Sequence, residues 1–107
     1  MKRQKSEIHL TFIRTLPCVV CNNNTSVEAA HIRFSCLRAG KRQTGMGEKP
    51  DDSWTLPLCG IHHREQHTMG EQDFWKKHGL DPIFLALALY RAPDHQTGVQ
   101  IVLSARD

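Results

Sequence analysis

The stretch LCGIHHREQH, residues 58–67, decides how this chain folds, together with the turn CVVC at residues 18–21. Each stretch carries two metal-binding side chains a few residues apart, which is the ligand spacing of zinc-binding turns. Two such pairs supply the four thiolate and imidazole ligands of a closed tetrahedral zinc site. His62 and His63 compete for the fourth position, because both follow Cys59 at a suitable gap. We therefore predict a structural zinc ion held by Cys18, Cys21, Cys59 and one of these two histidines.

A second metal site is indicated by His63 and His67, which stand four residues apart. On a helix this spacing places both imidazoles on one face, where they can bind a divalent ion. The simpler alternative is a solvated polar face. Two protein ligands leave positions on the ion for a phosphate and a water. His31 remains, and it is either a core histidine bonded to the backbone or a general base beside a metal-bound phosphate.

The bulk composition fits a small metal-binding domain. A length of 107 residues corresponds to one domain, residues 1–107. No long apolar run follows the N-terminus, so we expect no signal peptide, no contact with a membrane and a cytoplasmic location. There, four cysteines and seven histidines favour metal binding over disulfides, with Cys36 as a small buried residue. The net charge of +3 permits a nucleic-acid partner without proving one.

Hydrophobic spacing and cap residues predict the order of the elements. Helices are expected at residues 6–16, 60–69, 71–78 and 81–92, and short strands at residues 27–34, 54–58 and 99–103. Residues 38–50 contain three glycines and no hydrophobic periodicity, which predicts an irregular loop. The basic side chains in and just before this loop either keep the protein soluble or bind DNA phosphates: Arg33, Arg38, Lys41, Arg42 and Lys49.

The combined motif resembles the HNH endonuclease superfamily. Its parts are the CVVC turn, the Ala30-His31 pair, the segment LPLCGIHH at residues 56–63, and the further His67. Residues 49–52 and the Gly70-Glu71 pair with the following aromatic residues look closest to small phage and prophage members, including the Ref-like recombination nucleases. The resemblance covers roughly residues 16–82, and the combination is more specific than any of its parts.

This resemblance implies a fold and an activity. The fold is small α+β: a zinc-stapled treble clef with a ββα-metal core and flanking helices. The activity is hydrolysis of DNA phosphodiesters, with His31 as general base and His63 and His67 holding a catalytic divalent metal such as Mg²⁺. In a treble clef the last zinc ligand comes from the first helical turn, which favours His62. An acidic residue, Asp51 or Asp52, is expected to orient the base or bind metal, and we favour Asp52.

Two positions depart from the superfamily pattern. Many members carry a metal-binding Asp or His just before the base, where this chain has Ala30, and many carry an Asn near the position of Trp54. These departures favour a rival hypothesis: a non-catalytic zinc module that binds DNA or another protein. The retained histidines favour the nuclease. For either function we expect a recombination protein or a second copy of the chain, as a homodimer, to help choose the DNA site.

Overall fold

The computed structural model describes residues 5–34, 36 and 50–106. Within these residues the fold is α+β, as predicted, with a two-stranded sheet and five helices. None of the helices in these ranges is long and apolar enough to cross a membrane. Residues 38–49 of the predicted loop, with the basic residues Arg38, Lys41, Arg42 and Lys49, lie outside the described residues. The elements, in chain order, are α1 (Glu7–Arg14), β1 (Val27–His31), β2 (Thr55–Cys59), α2 (Gly60–Met69), α3 (Glu71–Lys77), α4 (Pro82–Arg91) and α5 (His95–Leu103).

The two strands form an antiparallel pair that sets the distance between Cys59 and His31. Val27 pairs with Cys59 at one end, and His31 pairs with Thr55 at the other. Strand β2 is buried at every position, so it lies at the centre of the core. The chain passes directly from β2 into α2, with Cys59 as the N-cap residue. The hairpin therefore holds a cysteine at one end and a histidine at the other, and α2 begins at the cysteine end.

Helix α1 packs on this hairpin. Its predicted cap is confirmed, because the Ser6 side chain accepts a hydrogen bond of 3.2 Å from the backbone N–H of His9. The backbone N–H of Ser6 itself donates to Oδ2 of Asp52 at 2.8 Å, which ties the start of α1 to the segment before β2. Leu10 and Ile13 on its inner face are buried in the core.

The core joins both strands to the C-terminal helices. Gly79, after α3, has a φ of +67°, the left-handed conformation predicted for the residue that ends this helix. Asp81 accepts from the backbone N–H of Phe84 at 3.1 Å, and Pro82 opens α4 as predicted. The largest fully buried side chains come from α1, the two strands, the residues just after α1 and β1, and the later helices: Ile13, Leu16, Ile32, Leu56, Leu58, Phe74, Trp75 and Leu89.

The predicted strand at residues 99–103 is wrong, because the segment belongs to helix α5. The N-cap of this helix is Asp94, whose side chain accepts from the backbone N–H of Thr97 at 2.8 Å. The sequence analysis overlooked this cap because the β-branched residues that follow favour a strand. This hydrogen bond lowers the pKa of Asp94. The helix then packs Gly98 against Phe12 and Leu16, so tertiary contacts override the β propensity of Val99 and its neighbours.

The close packing of α5 on α1 makes Gly98 a sensitive position. A Cβ atom there would lie 2.7 Å from Cζ of Phe12 and 3.0 Å from Cδ2 of Leu16. We expect Gly98→Val to lower the free energy of unfolding by about 1–3 kcal/mol, the usual cost of overpacking. Gln100→Val is the matched control, because it adds the same β-branched side chain at an exposed position of α5. Denaturant titration of the zinc-loaded proteins measures both, and equal midpoints would contradict this packing.

Candidate functional site

Four side chains predicted to bind zinc converge at the start of α2. One ligand atom from each of Cys18, Cys21, Cys59 and His62 lies within 4.8 Å of the others. The Sγ atoms of Cys21 and Cys59 are 3.9 Å apart, and Nδ1 of His62 lies 3.3 Å from Sγ of Cys59 and 3.8 Å from Sγ of Cys18. Ligands on one tetrahedral zinc ion lie about 3.5–3.8 Å apart, given normal bond lengths. This cluster can hold a metal ion such as zinc.

His62, rather than His63, lies in this cluster. Cys36 lies outside it and is half-buried, so it is more exposed than the sequence led us to expect. Burial raises the pKa of the Cys18 thiol. Burial also raises the pKa of Cys59, but hydrogen bonds from the His62 backbone N–H and from the thiols of Cys21 and Cys18 outweigh it, so the pKa is lowered. A lowered thiol pKa favours the thiolate that a metal needs.

The backbone around the cysteine turn is held from several sides. Cys18 donates its N–H to the carbonyl of Asn23 at 2.8 Å, and Asn22, at a φ of +63°, donates to the carbonyl of Cys18 at 2.7 Å. Val19 donates to the carbonyl of Pro57 in β2 at 2.9 Å. The guanidinium of Arg106 donates to the carbonyl of Val20. The turn is therefore joined to the hairpin and to the C-terminal segment.

A second group of side chains supports the position of His62. The ring of His78 packs edge-on against the ring of His62, with centroids 5.6 Å apart. Nε2 of His78 lies 2.7 Å from Oε1 of Glu65, and Nζ of Lys77 lies 2.8 Å from Oε2. Lys77 and then His78 lower the pKa of Glu65 to about 2. The end of α3 thus packs against the ligand-bearing turn of α2.

His63 and His67 form a separate pair on α2. Their Nε2 atoms lie 3.3 Å apart, which matches the separation of two imidazole nitrogens on one tetrahedral ion, about 3.3 Å. Nδ1 of His63 lies 2.6 Å from Oε1 of Glu28 on β1. A carboxylate in this place holds the proton on Nδ1, which leaves the lone pair of His63 on Nε2, the nitrogen that faces His67. The sequence analysis missed Glu28, because only the strand pairing brings it to α2.

His31 and Asp52 form a third group at the far end of the hairpin. Nε2 of His31 lies 2.9 Å from Oδ1 of Asp52, and both side chains are largely buried. An ionised carboxylate stabilises the tautomer with its proton on Nε2, so Nδ1 is then the nitrogen with the lone pair. The structure thus places Asp52, the favoured acidic residue, against the predicted base.

His31, His63 and His67 line one opening of about 340 Å³, here called the histidine cleft. Arg33, from the predicted basic set, also lines it. Arg14 of α1 does so as well, and the sequence analysis missed this residue because the motifs do not include α1. The cleft therefore combines a histidine pair, a carboxylate-bonded histidine and two arginines, of which Arg14 forms an ion pair of 3.1 Å with Glu7. Its lining residues are Leu10, Arg14, Ala29, His31, Arg33, His63 and His67.

The chain is similar in sequence to one described protein family and to one bacterial protein. Residues 1–94 match the family described as "Protein of unknown function (DUF968)". The chain belongs to this family. It is also similar to a protein of Escherichia coli named "Uncharacterized protein YdfU", with 34% identity over 67 residues. The matched segment is 63% of this chain and spans only 17% of that relative's length. No solved structure matches the chain.

Proposed function

We propose that this domain is a metal-dependent DNA endonuclease of the HNH type, related to the small phage and prophage nucleases. One observation carries the proposal: the histidine cleft holds His31 and the His63–His67 pair together. A base and a metal pair around one opening are what phosphodiester hydrolysis needs. The order of β1, β2 and α2, with the cysteine cluster at the start of α2, supports a ββα-metal core on a treble-clef zinc scaffold.

The chemistry follows from the positions of these side chains. Asp52 holds the Nε2 proton of His31, so that Nδ1 takes the proton from the attacking water. Glu28 holds the Nδ1 proton of His63, which turns Nε2 toward His67. His63 and His67 would hold a divalent ion such as Mg²⁺, which would supply positive charge at the scissile phosphate and the leaving oxygen.

The charge around the cleft supports DNA as the substrate. Arg14 and Arg33 line the opening from α1 and from the residues after β1. Guanidinium groups bind phosphate oxygens with charge-assisted hydrogen bonds, and they recognise the backbone of any DNA sequence. Four further basic residues, Arg38, Lys41, Arg42 and Lys49, follow Arg33 later in the same stretch of sequence, and we assign them to the same DNA strand.

The metal pair provides a direct test by plasmid nicking with Mg²⁺, Mn²⁺ or Ni²⁺. We expect His67→Ala to remove most nicking by weakening the metal site, and a large excess of metal to restore part of it. His95→Ala is the matched control, because this exposed histidine of α5 lies outside the cleft. A wild-type protein that binds DNA but nicks it with none of these metals would remove the nuclease proposal.

A second candidate function is a non-catalytic zinc module that binds DNA or a recombination protein. The observation that favours it is Ala30, which is fully buried and offers no metal ligand beside His31. The nicking experiment distinguishes the two functions, since a binding module retains DNA affinity but never cleaves. We favour the nuclease, because a binding module does not need a base held by one carboxylate and a histidine pair held by another.

A further inference from the structure

Beside the histidine cleft lies a smaller pocket of about 160 Å³, here called the side pocket. It shares three residues with the cleft, so a strand bound at the histidine pair can extend into it. Its remaining walls come from the end of α2 and the start of α3. The lining residues are His31, Arg33, Gln66, His67, Gly70 and Glu71.

Gln66 is the unusual residue of this pocket. Its side chain is only 5% exposed, and its Nε2 atom is buried without a hydrogen-bond partner among the residues that the structure describes. Buried amide groups are normally paired, because an unpaired donor loses its hydration and gains nothing in return. The buried Nε2 position is closed to a ligand, but a half-turn of the amide about its last bond exchanges nitrogen and oxygen without steric change. The half-turn moves the NH₂ group to the less buried position of the oxygen, where Gln66 lines the pocket and the NH₂ group can donate to a hydrogen-bond acceptor.

The charges of the side pocket indicate which acceptor it binds. Glu71, its acidic residue, accepts from the backbone N–H of Arg33 at 2.8 and 3.0 Å and from that of Phe34 at 3.0 Å. The Arg33 guanidinium has no hydrogen bond or ion pair to any residue in the described ranges. The Glu71 carboxylate is thus hydrogen-bonded to backbone N–H groups. The Arg33 guanidinium and the Gln66 amide remain as the side-chain donors of the pocket. An anion with several acceptor oxygens fits this arrangement.

We propose that the side pocket binds a phosphate of the DNA strand next to the scissile phosphate, through the Arg33 guanidinium and the Gln66 amide. That the phosphate belongs to DNA rests on the proposed function, whereas the anion site rests on the pocket itself. Gln66 adjoins the metal ligand His67 in the sequence. A phosphate held by Gln66 therefore sets where the strand lies relative to the metal pair, which makes Gln66 a positioning residue.

Inorganic phosphate is the simplest probe of the anion site. It is added to zinc-loaded protein without a second metal, and the side-chain amide signals are followed by NMR, with that of Gln66 assigned through Gln66→Met. We expect the Gln66 signal to shift and saturate, and Arg33→Ala to weaken phosphate binding roughly tenfold or more. The exposed Gln100 of α5 is the internal control. A Gln66 signal that stays unmoved, or that only follows Gln100, would overturn the proposal.

Binding of a short DNA duplex tests the same site with its proposed ligand. Gln66→Met retains the shape of the side chain but removes the donor, and Gln100→Met makes the same change on the exposed face of α5. We expect Gln66→Met to weaken duplex binding roughly tenfold, with unchanged zinc content. Unchanged affinity and nicking in this variant would overturn the side-pocket proposal and leave the nuclease intact. Saturable phosphate binding in a wild-type protein that never nicks DNA would support the anion site and remove the nuclease.

Discussion

Removal of zinc is expected to unfold this domain. The predicted ligands come from the turn after α1 and from the junction of β2 and α2, so one ion joins segments that are about forty residues apart in the sequence. Structural zinc sites contribute about 10–16 kcal/mol of apparent binding free energy, which matches or exceeds the whole stability of a typical domain, about 5–15 kcal/mol. We expect one zinc per chain by metal analysis. Treatment with a strong chelator should abolish the cooperative thermal transition seen by circular dichroism.

A pair of cysteine variants makes this test specific. Cys59→Ser removes a predicted ligand at the centre of the fold, and it should lose zinc and the folded state together. Cys36→Ser removes a half-buried thiol outside the cluster, and it should retain one zinc and nearly the wild-type melting temperature. Purified protein without zinc, or a chelated form that melts unchanged, would contradict a structural metal site.

Local sequence signals predicted most of the elements because each signal acts over a few residues. Ser6 and Asp81 accept hydrogen bonds at helix starts, and Gly79 adopts a positive φ at a helix end, as their residue types indicate. The strand predicted at residues 99–103 failed because the packing of Gly98 on Phe12 and Leu16 is a long-range contact. No short-range pattern encodes such a contact.

The candidate site shows the same division between local and long-range information. The spacing of the cysteines and histidines predicted the ligand cluster, because zinc turns are local structures. The contacts of Glu28 with His63 and of Gln66 with the side pocket depend on how β1 and α2 pack. The prediction of Asp52 used both kinds of information. The local motif limited the choice to two adjacent acidic residues, and the long-range pairing of the strands brings Asp52 to His31.

The contact between Asp52 and His31 can compensate for the Asn that many HNH proteins carry near the position of Trp54. If the chain is an HNH protein, as we propose, Trp54 takes the place of a polar Asn found in many members. The carbonyl of Trp54 accepts from the backbone N–H of Ile32 at 2.8 Å. Asp52, two residues earlier, contacts the ring of His31 and the backbone of Ser6. A carboxylate can orient a histidine as an amide does, and it also stabilises the imidazolium that forms after proton transfer. We therefore expect the chain to retain base catalysis despite the missing Asn.

Replacement of His31 by alanine is expected to give the largest loss of nicking. A general base contributes on the order of 10²–10⁴-fold to a rate, so His31→Ala should lower plasmid nicking by that factor. The zinc content should change little, because His31 lies at the opposite end of the hairpin from Cys59. The melting temperature should fall, since the buried Asp52 carboxylate loses its imidazole partner, but the folded variant should still bind DNA. Wild-type nicking should also fall in acid, since a protonated imidazole cannot accept a proton.

Asp52→Asn shows whether the carboxylate acts through His31. An amide of the same shape can donate to Nε2, which favours the wrong tautomer, so we expect nicking to fall roughly tenfold or more with DNA binding retained. Asp51→Asn is the matched control, because it makes the same substitution at the neighbouring residue. The combined His31→Ala and Asp52→Asn variant should lose no more activity than His31→Ala alone, because the carboxylate then has no base to orient. A further loss in the double variant would assign Asp52 a role of its own. Equal nicking by wild type and His31→Ala would indicate a contaminating nuclease and favour the binding module.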